Sequence, residues 1–566
     1  MCAISAPTTA PDSSKRNLLL KNLGAASIIF LLLEIWRPRY FLTDDNCGGG
    51  FPLLIGMGRR LAHGKSPFVA DYIFGGNYDL LRDCTSFIWH PIYLLASLLA
   101  VTPAHFWIMD VIAYFFLMVA AAGFVCLADH VRKEFGIPLG DGWLMFYTLS
   151  FTYSMIVLTT GSSWLNFLGN HSALPWLTLG ILQVTWRRGL GLVALFSLHQ
   201  LMGGHFAPTI STSLFLSLFA MGVAVWRRSW VPLISWSGGY LLALAILSPL
   251  LLPAAQGFLD ADRSGGLSAV AMSKFAIPAK LFPLSFFLAT FSTLLPVRIG
   301  FGTCQVFYAT AFVSCAAAWL IIPTIFDRAR WRGLDVICAG LIVVAMVMVI
   351  RPLWVSQIMI HLPLLKSMRW PFREILQMQF FFHLLVVLRH SERAKLFRTA
   401  LAYGGSLIFL MPLPFLPAPT FLPLQVDQKL IFSGRAYRYW KHVRTYLGPH
   451  DYIAAIADPQ VVSTHPFTVP FSLLGTYNFP ILFKVKSVTG YSVTAPRDQL
   501  VVTVPPKMAF GLFSPDQKEA ILRERPDVKF ITLESMDPLR ITLSSKDGPT
   551  VDLTPFIPLP IKRGHR

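Results

Sequence analysis

Residues 25–50 read AASIIFLLLEIWRPRYFLTDDNCGGG. The stretch opens on an apolar run that can cross a bilayer as a helix. It then turns polar with Arg37 and Arg39, and within a few residues presents Asp44 and Asp45 side by side, followed by Cys47 and three glycines. Asp and Asn are common where a chain leaves a helix and turns. Two adjacent carboxylates are less ordinary, because both cannot ionise without cost unless a cation compensates. Glu34 lies inside the apolar run about a turn before Arg37, and a local ion pair between the two is the expected arrangement.

The rest of the chain repeats the opening pattern. Of its 566 residues 54% are hydrophobic and only 14% charged, and the mean hydropathy is +0.56. Apolar stretches long enough to span a membrane recur along most of it, which defines a polytopic α-helical membrane protein. The net charge of +19 does not point to nucleic acid. The basic residues gather in short segments between apolar runs, at 13–16, 131–133, 186–188, 226–228, 326–333 and 389–398. Lys and Arg accumulate in cytoplasmic loops, so these segments read as orientation signals.

Placing each basic loop inside orders the spans. The first, about 20–36, reads as uncleaved and exits outward. A long outside loop of about 38–103 follows, and its apolar piece IYLLASLLAV is too short to cross alone. Further spans are expected at about 105–127, 143–160 and 173–186, then two between the WRR loops, then 231–252. A second outside stretch covers about 253–300. Spans eight to eleven follow, and the last ends near the Pro-rich PLPFLPAPTFLPL. The total is about eleven spans. Residues 1–425 form the membrane module, and 426–566 form a separate domain on the same outer side as the first loop. That tail carries short alternating runs, KFITLES and LRITLSS, bounded by turn formers, which predict an α/β or β-containing domain.

Candidate chemistry collects at the outer side. Asp44 or Asp45 can act as a general base or hold a divalent metal such as Mg or Mn. Cys47 and Cys84 share the first outside loop, and a disulfide between them is expected to tie that loop back onto its far end. Arg59, Arg60 and Lys65 lie in the same loop and can meet phosphate or lipid headgroups. Arg369 and Arg373 flank WPF before span ten, as phosphate ligands or as interfacial anchors. His171, His199 and His205 fall near the outer ends of spans three to six, where single histidines more often pack than ligate. In the tail, LLGTYNFP and SVTGYSVTAP suit either sugar stacking or ordinary turns.

The order of features then resembles a known family. An acidic loop start, HGKSPF, YIFGGNYDLL and HPIYLLASLL are similar to the first outside loop of GT-C type membrane glycosyltransferases, in particular the bacterial YfhO-like branch. LMGGHFAP at 201–208 and LLKSMRWPFRE at 364–374 are similar to later segments of that branch. The resemblance covers about two thirds of the chain as pattern and topology. It implies a multi-pass protein of the bacterial inner membrane with its C-terminal domain extracytoplasmic. It also implies inverting transfer of a sugar from a polyprenyl-phosphate donor to a glycan, lipid or protein acceptor. One of Asp44 and Asp45 would be the base. Arg59, Lys65, His171, His205, Arg369 and Arg373 would be candidate contacts to substrate. A transporter or flippase for lipid-linked glycans, or a non-catalytic assembly protein on the same fold, are the competing readings.

Overall fold

The computed structural model describes residues 13–36, 38–43, 45–83, 89–261, 331–362, 365–368, 371–390, 425–464, 469–490 and 511–557, with short pieces at 266, 268–273, 499–500, 502, 504 and 506. Asp44, Cys84 and Arg369, the expected disulfide, and the expected eighth and eleventh spans lie outside the described residues.

Helix α1 (Ser13–Trp36) leads into the first loop. That loop holds a five-residue π-helical turn (Asn46–Gly50), α2 (Phe51–Ala62), a two-stranded hairpin of β1 (Val69–Ala70) and β2 (Tyr78–Asp79), and α3 (Pro91–Leu99). Helix α3 has nine residues, about 14 Å at 1.5 Å per residue, so it lies well short of a bilayer. The bundle continues with α4 (Ile108–Glu134), α5 (Asp141–Thr152), α6 (Met155–Ser163), α7 (Leu165–Leu182), α8 (Trp186–Gly203), α9 (Phe206–Arg227), α10 (Val231–Asp260) and the short α11 (Ala269–Ser273). Then come α12 (Gly333–Ile350), α13 (Leu353–Met359) and α14 (Ile375–Leu388).

Five of the described helices are long and apolar enough to cross a membrane: residues 15–35 of α1, and α4, α9, α10 and α12. Their outward faces carry Ile28, Leu31, Ile35, Leu241, Leu252 and Val336, all exposed. In water such a surface would be an association hazard, whereas hydrocarbon satisfies it. Helix α7 is buried along nearly its whole length, with α4 and α8 packed against it. Small residues allow that approach: a Cβ added at Gly169 would lie 2.3 Å from the Gly203 carbonyl oxygen, and one at Gly189 2.7 Å from that of Gly180.

Two spans differ from their sequence reading. The stretch expected as one span at about 143–160 is broken at Tyr153–Ser154, where Ser154 adopts extended backbone (φ −63°, ψ 152°) between α5 and α6. A second break at Trp164 (φ −129°, ψ 88°) starts α7 eight residues before the expected 173. The run TTGSSW is rich in hydroxyl and Gly residues, which offer the backbone alternatives to a continuous helix.

The basic loops meet at one end of the bundle. Arg132 pairs with Asp129 at 2.9 Å and Asp141 at 3.0 Å, Arg227 from the end of α9 reaches Glu134 at the end of α4, and Arg389 lies 3.7 Å from Asp335. The first loop lies at the opposite end, together with the C-terminal region.

That region begins with α15 (Gln425–Phe432) and α16 (Arg435–Val443). It continues through β3 (Tyr452–Ala457), α17 (Pro459–Thr464), α18 (Phe471–Leu474), α19 (Phe479–Phe483), β4 (Lys486–Ser487), α20 (Lys518–Glu524), β5 (Val528–Met536), β6 (Leu539–Ser544) and β7 (Val551–Asp552). The sheet order is β4-β3-β5-β6-β7, with β3 parallel to both neighbours and the β5–β6–β7 pairs antiparallel. The expected strands in KFITLES and LRITLSS are β5 and β6. Strand β3 reads YIAAIA because its last five residues are buried, as in a parallel strand covered on both faces.

Candidate functional site

Three side chains anchor the start of the first loop. Glu34 accepts the backbone N–H of Arg39 at 2.8 Å, and Asp110 of α4 accepts that of Phe41 at 3.1 Å. The expected partner of Glu34, Arg37, lies outside the described residues; its partners among the described residues are backbone N–H groups and the Asp110 carboxyl. The third anchor is Asn46, buried and unnoticed in the sequence. Its amide NH₂ faces the carbonyl oxygens of Phe41, Gly161 and Ser162, each at 2.9 Å, and its Oδ1 accepts the Leu165 N–H at 2.8 Å. That last bond satisfies one of the orphan N–H groups at the start of α7. Thr43 adds a hydroxyl bond to Ser162 at 2.8 Å. Asp45, between Thr43 and Asn46, is thereby fixed against the α6–α7 corner.

Trp164 sits at that corner and organises what surrounds it. Its Nε1–H donates to Asp45 Oδ2 at 2.6 Å. The Arg373 guanidinium lies 4.6 Å from the centre of its ring, a cation–π distance. The His205 ring lies 6.0 Å from it. Three of the residues singled out in the sequence, Asp45, His205 and Arg373, therefore converge on one indole. His205 is held by its own backbone, which donates to Asn170 Oδ1 at 2.7 Å and the Asn166 carbonyl at 3.0 Å, while its Nδ1 caps α9.

Arg373 is itself buried, in a short 3₁₀ turn (Pro371–Glu374) leading into α14. Beside it, Glu374 is buried and accepts from the Ser211 hydroxyl, and the Gln377 amide meets the Thr212 hydroxyl at 3.0 Å. Arg351, the residue that ends α12, is 1% exposed and lies within electrostatic reach of Glu374. Its Nη1 donates to the Met368 carbonyl at 2.8 Å, and its Nε and Nη2 have no hydrogen-bond partner among the described residues. Arg351 and Arg373 thus bring two guanidinium groups to the buried Glu374 carboxylate.

The other expected residues lie elsewhere. Arg59 donates to the carbonyls of Ile481 (2.6 Å), Leu482 (3.4 Å) and Val101 (3.4 Å), so it ties the first loop to the C-terminal region. Lys65 is exposed in the turn after α2. His171 lies seven residues beyond Trp164 on α7, about 10 Å deeper along the axis. It is fully buried with its ring 4.2 Å from that of Phe151, and neither of its ring nitrogens has a partner among the described residues. His199 joins a buried string, with Nδ1 3.0 Å from His90 Nε2 and Nε2 2.7 Å from the Ser172 hydroxyl.

The segment LLGTYNFP serves the fold. Tyr477, Asn478 and Phe479 are buried, and Asn478 donates through its backbone N–H to the Gly48 carbonyl (3.0 Å) and through Nδ2 to that of Gly49 (3.1 Å). Gln428 does the same for the Leu42 carbonyl at 2.9 Å. In the adjacent turn, Asp427 Oδ1 accepts the Ser472 N–H at 2.6 Å, and burial pushes this carboxyl up to about 7 against the pull of that bond.

Among the described residues no three His, Cys, Asp or Glu side chains gather as a metal site. Trp164, Asn46 and Arg351 are the site residues missing from the sequence reading. The one signal for Trp164 was an aromatic residue at the end of an apolar run, which in a membrane chain reads first as an interfacial anchor.

Comparison with protein-family models, curated proteins and solved structures returns no match to this chain.

Proposed function

We propose that this protein is a membrane glycosyltransferase of GT-C type. It takes a sugar from a polyprenyl-phosphate donor and transfers it to an acceptor hydroxyl on the outer face of a bacterial inner membrane. The reading includes about eleven spans and an extracytoplasmic C-terminal domain, with the basic end of the bundle cytoplasmic. The observation that carries it is the convergence of Asp45, His205 and Arg373 on Trp164, at the end of the bundle away from the basic loops.

A polyprenyl donor keeps its tail in the bilayer, so its phosphate lies at the interface. Asp45, oriented by Trp164, takes the proton of the acceptor hydroxyl as that oxygen attacks the anomeric carbon. The C–O bond to phosphate breaks on the opposite face, which inverts the anomeric centre. The leaving phosphate takes the bonding electrons as an anion, and Arg373, backed by Arg351, stabilises it. The test is sugar transfer by purified protein offered a panel of polyprenyl-phosphate sugars. Transfer from none of them, by protein shown to be folded, would overturn the assignment.

One observation favours the competing reading of a transporter or flippase. His171, His199 and His383 are buried within the bundle, and ionisable groups inside a membrane commonly mark a pathway. Sugar-independent movement of a labelled lipid-linked glycan across proteoliposomes would support that reading.

A further inference from the structure

Helix α16 (Arg435–Val443) is the most strongly two-sided element of the C-terminal region. Ala436, Tyr439, Trp440 and Val443 are buried on one side. Trp440 stacks on Phe483 with ring centres 5.5 Å apart and donates its Nε1–H to the Ser472 carbonyl at 2.7 Å, so the rotation of the helix is fixed. Arg438, Lys441 and Arg444 then emerge exposed, spaced as neighbours on one helical face, and Lys429 is exposed on the preceding helix. Between Gln428 and His450 the sequence contains no Asp or Glu. Among the described residues none of these four cations has an ion-pair partner, although other surface charges of the region do, as in Arg525–Asp527 and Lys529–Asp451.

The fold fixes the depth at which this helix begins. Phe432, three residues before α16, packs its ring 4.9 Å from Phe106, which lies two residues before the span-length α4. Arg39, three residues past α1, lies between them, 3.9 Å from the Phe106 ring centre and 4.1 Å from that of Phe432. The base of α16 is therefore pinned where two membrane-crossing helices end. Basic residues there are not explained as orientation signals, because the loops at 131–133 and 226–228 lie at the other end of α4 and α9.

We infer that the outward face of α16, with Arg438, Lys441 and Arg444, binds anionic lipid headgroups of the adjoining leaflet. Long Lys and Arg stems reach laterally into the headgroup layer while their charges stay hydrated, and anionic lipids attract basic segments next to a span. The inference is independent of the chemistry at Asp45. It would hold the C-terminal region flat against the membrane beside the candidate site.

The experiment uses the full chain in nanodiscs of phosphatidylcholine containing about a third phosphatidylglycerol. Native mass spectrometry then reads which lipids stay bound on release. The expected result is a several-fold enrichment of phosphatidylglycerol that falls in the R438Q/K441Q/R444Q variant and in about 0.5 M NaCl. These side chains are exposed, and an unchanged melting temperature in neutral discs would verify the fold of the variant. Equal enrichment in variant and wild type would overturn the inference. So would binding of a soluble polyanion such as dextran sulfate to the wild type alone, with no change in lipid composition, because that outcome assigns the face to a polymer.

Discussion

At the scale of single residues, Asp45 and Trp164 can be separated experimentally because one bond joins them. Asp45→Asn keeps an acceptor for the indole but cannot take a proton, so transfer should fall on the order of a hundred-fold or more while donor binding is retained. Trp164→Phe leaves a ring beneath Arg373 but removes the N–H. We expect a smaller loss of turnover, with stability reduced by about 1.5–3 kcal/mol as for a hydrogen bond to a charged group. Steady-state kinetics and thermal unfolding in detergent measure both, and wild-type turnover by Asp45→Asn would remove Asp45 from the chemistry. Asp427 makes a different prediction. Its folded-state carboxyl is raised to about 7 by burial, so the fold binds its proton more tightly than the unfolded chain does. The associated stability is complete below about pH 4 and is lost as pH rises through about 7. Asp427→Asn should therefore raise the melting temperature at pH 8, leave it nearly unchanged at pH 4, and flatten the profile between them.

At the scale of elements, the contact of α7 with the end of α8 depends on Gly169, which faces the Gly203 carbonyl with no room for a Cβ. The obstacle is backbone, so it cannot swing aside as a side chain would. Gly169→Ala should cost about 1–3 kcal/mol, the usual penalty for overfilling a packed interior. It should also move Asn170, whose side chain holds His205 and the Thr209 hydroxyl. Reduced melting temperature together with weakened donor binding is the expected result; unchanged binding would show that α7 does not set the position of His205. Apolar periodicity made most of these helices legible, because a run of apolar residues between basic loops has few other solutions in a bilayer. The breaks at Ser154 and Trp164 were not legible. The second depends on Asn46 capping Leu165 across 119 residues of sequence, and no local pattern encodes that contact.

At the scale of the whole molecule, the first loop and the C-terminal region form one unit at one end of the bundle, and the basic loops form the other. Thiol labelling of single-cysteine variants in intact cells should reach position 445 and position 65 from the same side, and position 132 only after permeabilisation. Labelling of 445 and 132 from one side would contradict the arrangement. The candidate site was partly legible for a related reason. Asp45, His205 and Arg373 were found because polar residues are sparse at the ends of spans and stand out there. Arg59 shows the limit: a loop arginine reads as a phosphate ligand until its partners, which include two carbonyls more than 400 residues later, are known.

The bond between Asn478 and Gly49 spans 429 residues. Synthesis at about 5–20 residues per second separates the two ends by roughly 20–90 s. During that interval the glycine turn has left the ribosome while the asparagine that secures it has not been made. The far side of that turn is therefore completed late, and a nascent chain stalled before residue 478 would carry a membrane bundle in which Asn46 holds the turn while the Gly48 and Gly49 carbonyls still lack Asn478.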